Sequence, residues 1–233
     1  MKMTRSDVQE ALLQLYLRLN GYFTTGFIVQ APEWGRNRAQ VDALAIRHPL
    51  NREPERVVNV SPFLELTDHV TDVLICEVKS KGQPLQFNSG LRTTDAMSTV
   101  LRWVGLVPEG RLQAHVHAVL ELMQPGCSVR KAASGATVEG AIRTRPLLCS
   151  PERTKAHVNQ PWFLNGSEIF TYITNCFNPL DRRPNCATRY DFSGWGAWLE
   201  PVVRYFKDLP PGTMGTVAEL YADLSRAGVM RHE

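Results

Sequence analysis

The segment TDVLICEVKSKG, Thr71 to Gly82, constrains the fold most. Its centre, VLICEV, is a run of β-branched and other apolar residues, which predicts an interior strand. Side chains alternate along a strand, so Val73, Ile75 and Glu77 share one face while Leu74, Cys76 and Val78 share the other. Both faces are apolar, and such a strand is covered on both sides. Glu77 and Lys79 break the pattern. They point the same way with Cα atoms about 6 to 7 Å apart, and taking an ion out of water there costs on the order of several kcal/mol unless a partner compensates. From these residues alone, an ordinary ion pair at a strand end and a functional site both stay open.

The chain has 233 residues, 43% of them hydrophobic and 21% charged, a balance that fits a globular protein with a real core and argues against disorder. No apolar run reaches the length of a membrane span, and MKMTRSDVQE lacks the apolar stretch of a secretory signal, so a cytoplasmic location is expected. Five cysteines without a CxxC pair disfavour both a disulfide framework and a zinc ribbon. His115 and His117 fall on different sides of a helix, which disfavours a shared metal. The net charge of +3 permits a polyanionic partner without requiring one. Arginine supplies 20 of the 26 basic residues, grouped at Arg36 and Arg38, at Arg143 and Arg145, and at Arg182 and Arg183. Its planar fork suits phosphate, although solvated charged faces account for such groups equally well.

Around the central strand the elements read in order. Residues 5–20 predict a helix with Ser6 as N-cap and Gly21 as stop. Val8, Leu12, Leu15, Tyr16 and Leu19 form one apolar stripe, and Leu13 and Leu17 form a second that also carries Glu10. Glu10 is either a functional acid or a first-turn carboxylate favoured by the helix dipole. Residues 21–30 and 39–48 predict two strands joined by a turn bearing Arg36 and Arg38, and residues 49–69 form a polar, proline-bearing excursion. Asp42 begins an apolar strand, an unusual place for an unpaired acid.

Val41 and Asp42, then an apolar strand with Glu77, Val78 and Lys79, all preceded by a helix and a hairpin, resemble the restriction-endonuclease-like nucleases with the PD-(D/E)xK signature. The resemblance covers about residues 5–105 in element order and extends to a strand near residues 142–149. It implies an α/β restriction-endonuclease-like core, a central mixed β-sheet flanked by helices, and metal-dependent hydrolysis of phosphodiester bonds, in DNA more than in RNA. Carried over, the metal-binding acid falls on Asp42, the second acid on Glu77 and the lysine on Lys79. The resemblance implies the Val78 carbonyl as a third metal ligand, Mg²⁺ as the ion with Mn²⁺ as substitute, and Lys79 as the group that positions water or stabilises developing charge. Arg36 and Arg38 are the expected nucleic-acid contacts, with Glu10 as an additional acid. Two departures stand out: Val41 replaces the proline of the signature, and 34 residues separate Asp42 from Glu77. Asp72, at the start of the strand, is a rival acid.

Beyond this motif, residues 93–105 and 110–123 predict scaffold helices. Gln83 and Gln86 are either phosphate contacts or loop residues. Residues 1–150 are expected to form the nuclease core, and residues 151–233 a helical extension packed on it that also offers a surface for a homodimer or a partner protein. A non-catalytic nucleic-acid-binding or assembly module of the same fold is the main alternative, and a metal-free scaffold is a further one.

Overall fold

The computed structural model describes residues 2–30, 37–52, 58–154, 162–181 and 192–231, with the side chains of residues 37, 38 and 193 also outside the description. Arg36, the side chain of Arg38, Arg182, Arg183 and Cys186 therefore lie outside the described residues.

Helix α1 (Arg5–Leu19) is capped by Thr4 rather than Ser6. Thr4 Oγ1 accepts the Asp7 N–H at 3.2 Å while Asp7 Oδ2 accepts the Thr4 N–H at 2.7 Å, a reciprocal capping box that satisfies two backbone donors and makes an earlier start favourable. Its stop is as expected. Gly21 takes a φ of +85°, and a Cβ there would come within 2.3 Å of the Asn51 side-chain oxygen, so no other residue fits without a shift. Both apolar stripes of α1 are buried, because the helix is wedged between the sheet and two later helices.

Strands β1 (Phe23–Gln30) and β2 (Asn37–Arg47) form the expected antiparallel hairpin, and β2 pairs antiparallel with β3 (Thr71–Val78). A crossover through α2 (Thr94–Val104), α3 (Glu109–Leu122) and the short α4 (Val129–Ser134) brings the chain to β4 (Ala136–Val138) and β5 (Ile142–Ser150). β5 runs parallel to β3. Its far edge is shared, with β4 antiparallel along the first three residues and β6 (Phe163–Asn165) parallel along the last three. The result is a mixed six-stranded sheet in the order β1-β2-β3-β5-β4, with β6 beside β5.

Helices cover both faces, as the apolar pattern of β3 demands. Leu74 and Cys76 pack with Leu147 and Cys149 against α1, α5 (Gly166–Phe177) and α6 (Gly196–Asp208), while Val73 and Ile75 pack with Leu148 against α2 and α3. The chain is thus α/β, with an open mixed sheet between helical layers. The segment after residue 150 is not purely helical, since β6 extends the sheet. Three residues are too short for a period-2 pattern to register. After β6 come α5, capped by Asn165, α6, and α7 (Val217–Arg226), whose Leu220 and Leu224 join the same apolar cluster as α1. Met3 then pairs in parallel with Met230. No helix among the described residues is long and apolar enough to cross a membrane.

Candidate active site

β3 delivers Glu77 to the end of the sheet, and Lys79 follows directly after it. Glu77 is 1% exposed and Lys79 6%. The Lys79 ammonium lies 2.6 Å from Glu77 Oε1 and donates to Asn88 Oδ1 at 2.9 Å, while Glu77 Oε2 accepts the Asn88 N–H at 2.8 Å. Asn88 therefore closes a ring with the pair. The backbone of Lys79 is equally fixed: its N–H donates to Cys149 O at 2.7 Å, and its carbonyl accepts Ser150 Oγ at 2.6 Å. Because β5 is parallel to β3, both anchors come from the same end of the sheet. In open α/β sheets that carboxyl end is where ligand crevices form.

Asp42 reaches this end from the neighbouring strand. The last paired residues of β2 and β3 are Ala43 and Cys76, so Asp42 and Glu77 are the next residues on each strand. Against β1, the step from Thr25 to Phe27 faces the longer step from Leu44 to Val41. β2 therefore carries one extra residue at Asp42–Ala43, a bulge of the kind that re-aims side chains beside active sites. The carboxylate accepts the Val78 N–H at 2.7 Å and the Gln40 amide at 3.3 Å. Burial pushes the Asp42 carboxyl above its ordinary range and the charge of Glu77 adds to the rise, against the Val78 hydrogen bond, which opposes it.

Glu10 approaches from α1. Burial, then the charges of Asp42 and Asp7, raise its carboxyl to about 7, against a weak lowering from Ser6. A helix dipole would favour the ionised form, so the rise reflects burial first and the neighbouring acids Asp42 and Asp7 second. Among the described residues, no group of three or more His, Cys, Asp or Glu side chains is arranged to hold a metal ion. Mg²⁺ often takes only one or two carboxylates and retains several waters, so the donor set required is small. Two half-buried carboxylates that repel one another fit that requirement, with oxygen the right donor atom.

The chain matches none of the protein-family models, curated proteins or solved structures with which it was compared.

Asp72, the rival acid, belongs elsewhere. It sits at the opposite end of β3, where Arg143 Nε donates to its Oδ1 at 2.6 Å, Arg145 binds through both Nε and Nη2, and Tyr22 donates its hydroxyl. Arg145 is fully buried, stacks 5.1 Å from the Trp162 ring and donates to the carbonyls of Leu64 and Ala133. The pair Arg143 and Arg145 thus neutralises a buried aspartate instead of facing solvent or phosphate. Sequence could not signal this, because the partners lie 71 and 73 residues apart and meet only through the parallel register.

Other expectations resolve plainly. Gln83 Oε1 accepts the Ser80 N–H at 3.0 Å and shapes the turn after Lys79, whereas Gln86 is exposed. His115 is buried with Nε2 2.8 Å from Thr144 Oγ1, and His117 is exposed, so they do not share a site. Asn88 was missed; its signal was slight, an asparagine in a Ser/Gly turn shortly before a helix.

Proposed function

We propose that the protein is a Mg²⁺-dependent nuclease of restriction-endonuclease-like fold that hydrolyses phosphodiester bonds in DNA. The observation that carries this reading is that Asp42, on a bulged strand, stands at the position adjoining Glu77 of the buried Glu77–Lys79 pair at one end of the sheet, with the charge of Asp42 also acting on Glu10 of α1. Carboxylates so crowded are destabilised by their own charge, and a divalent cation relieves it. Asp42, Glu77 and the Val78 carbonyl would hold the ion, with Glu10 as the added acid. When bound, Mg²⁺ supplies a water of lowered pKa and offsets charge on the phosphate oxygens. Lys79, held by Glu77 and Asn88, presents a fixed ammonium to charge that develops on the phosphoryl group, and its anchors on β5 spare any reorganisation at the moment of reaction. Mn²⁺ substitutes, being another cation suited to oxygen ligands.

A second reading rests on Glu77, whose two oxygens are both engaged, by Lys79 and by the Asn88 N–H. A group so satisfied serves a scaffold well, and the protein would then be a non-catalytic nucleic-acid-binding module. Labelled single- and double-stranded DNA and RNA incubated with Mg²⁺, Mn²⁺ or EDTA separate the two. The nuclease cuts DNA with either metal, not with EDTA, and loses the activity in Asp42→Asn. Binding without cleavage under every metal establishes the second reading.

A further inference from the structure

Beside the candidate active site lies a cleft of about 670 Å³ between α1, the turn after Lys79 and α7. Its described lining includes three cations, Arg5, Lys81 and Arg231, together with Tyr221 and a single carboxylate, Glu152. That carboxylate is committed. Glu152 Oε2 accepts the Lys81 N–H at 2.8 Å and Oε1 accepts the Tyr221 hydroxyl at 3.1 Å, so it is fixed in the wall of the cleft, where the three cations still outnumber it. Arg5 lies over the Tyr221 ring at 5.5 Å, while Lys81 and Arg231 are exposed.

The cleft is tied to the site by short links. Gln9 Nε2 donates to the Tyr221 hydroxyl at 3.0 Å and reaches Ser80 Oγ at 3.4 Å; Gln9 adjoins Glu10 in the chain, and Ser80 adjoins Lys79. Arg153 fastens the same turn by donating to the carbonyls of Lys81 at 2.9 Å and Gln83 at 2.7 Å. Lys81 is two residues beyond Lys79, a separation of at most about 7 Å along the chain. One strand of a duplex presents a phosphate about every 3.4 Å of axis. A strand with a phosphate at Lys79 thus brings phosphates a step or two away into the cleft.

Resting on the nuclease reading for the identity of the polyanion, we propose that this cleft is the track for the sugar-phosphate backbone of the nucleic-acid strand flanking the scissile bond. Lys81 and Arg231 contact its phosphates, and the Arg5–Tyr221 pair forms the floor. The C-terminal helix α7 is then part of the substrate site and not only a cover for the core.

The test measures binding of a fluorescent DNA oligonucleotide by anisotropy in EDTA, where no cleavage can occur, across a salt series. Lys81→Gln with Arg231→Gln is expected to weaken binding roughly tenfold at low salt and to reduce the slope of log affinity against log salt by about 1.4 for a single strand or 1.8 for a duplex. Lys81→Glu with Arg231→Glu should weaken it further, and an unchanged melting temperature shows that the fold persists. Lys207→Gln, near the C-terminal end of α6 and outside the lining of the cleft, serves as a charge control that leaves affinity near wild type. Unchanged affinity in both double variants overturns the proposal, as does wild-type protein that binds no DNA. Inorganic phosphate displacing the oligonucleotide as well as an equal phosphate concentration of DNA also overturns it, showing a site for a single anion. Wild type that binds through Lys81 and Arg231 yet shows no cleavage under any metal keeps the cleft as a nucleic-acid track and removes the nuclease reading, and with it the scissile bond.

Discussion

The ammonium of Lys79 lies 2.6 Å from Glu77 Oε1, and both residues are buried. This proximity determines what a substitution can report. Lys79→Ala leaves Glu77 buried without its counter-ion, so a loss of about 3 to 5 kcal/mol is expected whatever the protein does. Lys79→Arg keeps the charge but not the compact geometry, and is the sharper variant. For a nuclease it should retain more stability than Lys79→Ala while cutting roughly 10²-fold more slowly. Denaturant unfolding and single-turnover cleavage on the same preparations check this; wild-type cleavage by Lys79→Arg would remove Lys79 from the chemistry.

Metal binding should be visible without any substrate. Millimolar Mg²⁺ or Mn²⁺ is expected to raise the melting temperature of the wild type by mass action, and Asp42→Asn should abolish the rise. The substitution also removes a charge that repels Glu77 and Glu10. Equal metal-induced shifts in wild type and Asp42→Asn would place the ion elsewhere.

Stability should depend on pH through Glu10, whose carboxyl is raised to about 7 from an ordinary 4.5. Between those values the folded protein binds more protons than the unfolded chain, so this contribution is fully present below about 4.5 and is lost as pH rises through 7. Glu10→Gln should flatten the dependence in that window. Mg²⁺, by favouring the ionised form, should shift the window to lower pH. A melting-temperature profile from pH 5 to 8 that is identical in wild type and Glu10→Gln contradicts the assignment.

The cluster around Asp72 predicts a different outcome. Asp72→Ala strands two buried guanidinium groups and should cost about 3 to 5 kcal/mol, without altering the metal-induced shift in any protein that still folds. Replacing all three members by apolar residues of similar volume should recover much of that loss. A small effect of Asp72→Ala on the denaturation midpoint would mean that water reaches the arginines.

Long elements with strong patterns were legible. The two-faced apolar run of β3 foretold a covered central strand, and the same-face spacing of Glu77 and Lys79 foretold their encounter. Glu10 was visible as a charge within an apolar stripe. β4, α4 and β6 were not, since three or six residues hold too little periodicity. Arg145 was misread for a deeper reason. An arginine pair on a strand looks solvated until a distant aspartate is placed opposite, and only the parallel register of Asp72 with Arg143 and of Leu74 with Arg145 does so. The bulge at Asp42 was hidden likewise, because it exists only as a mismatch between two strands.

The bridge between Met3 and Met230, with Met3 N–H donating to Val229 O at 2.8 Å and Arg231 N–H to Met3 O at 2.9 Å, joins residues at opposite ends of the described chain. Closing so long a loop costs about 5 kcal/mol in chain entropy by the logarithmic law, a cost two hydrogen bonds do not offset on their own. The strap therefore forms only once α1 and α7 have already been brought together by the core. Its amides should accordingly be among the first to exchange with deuterium, and should do so in concert, reporting the opening of α7 from its neighbouring helices rather than unfolding of the whole.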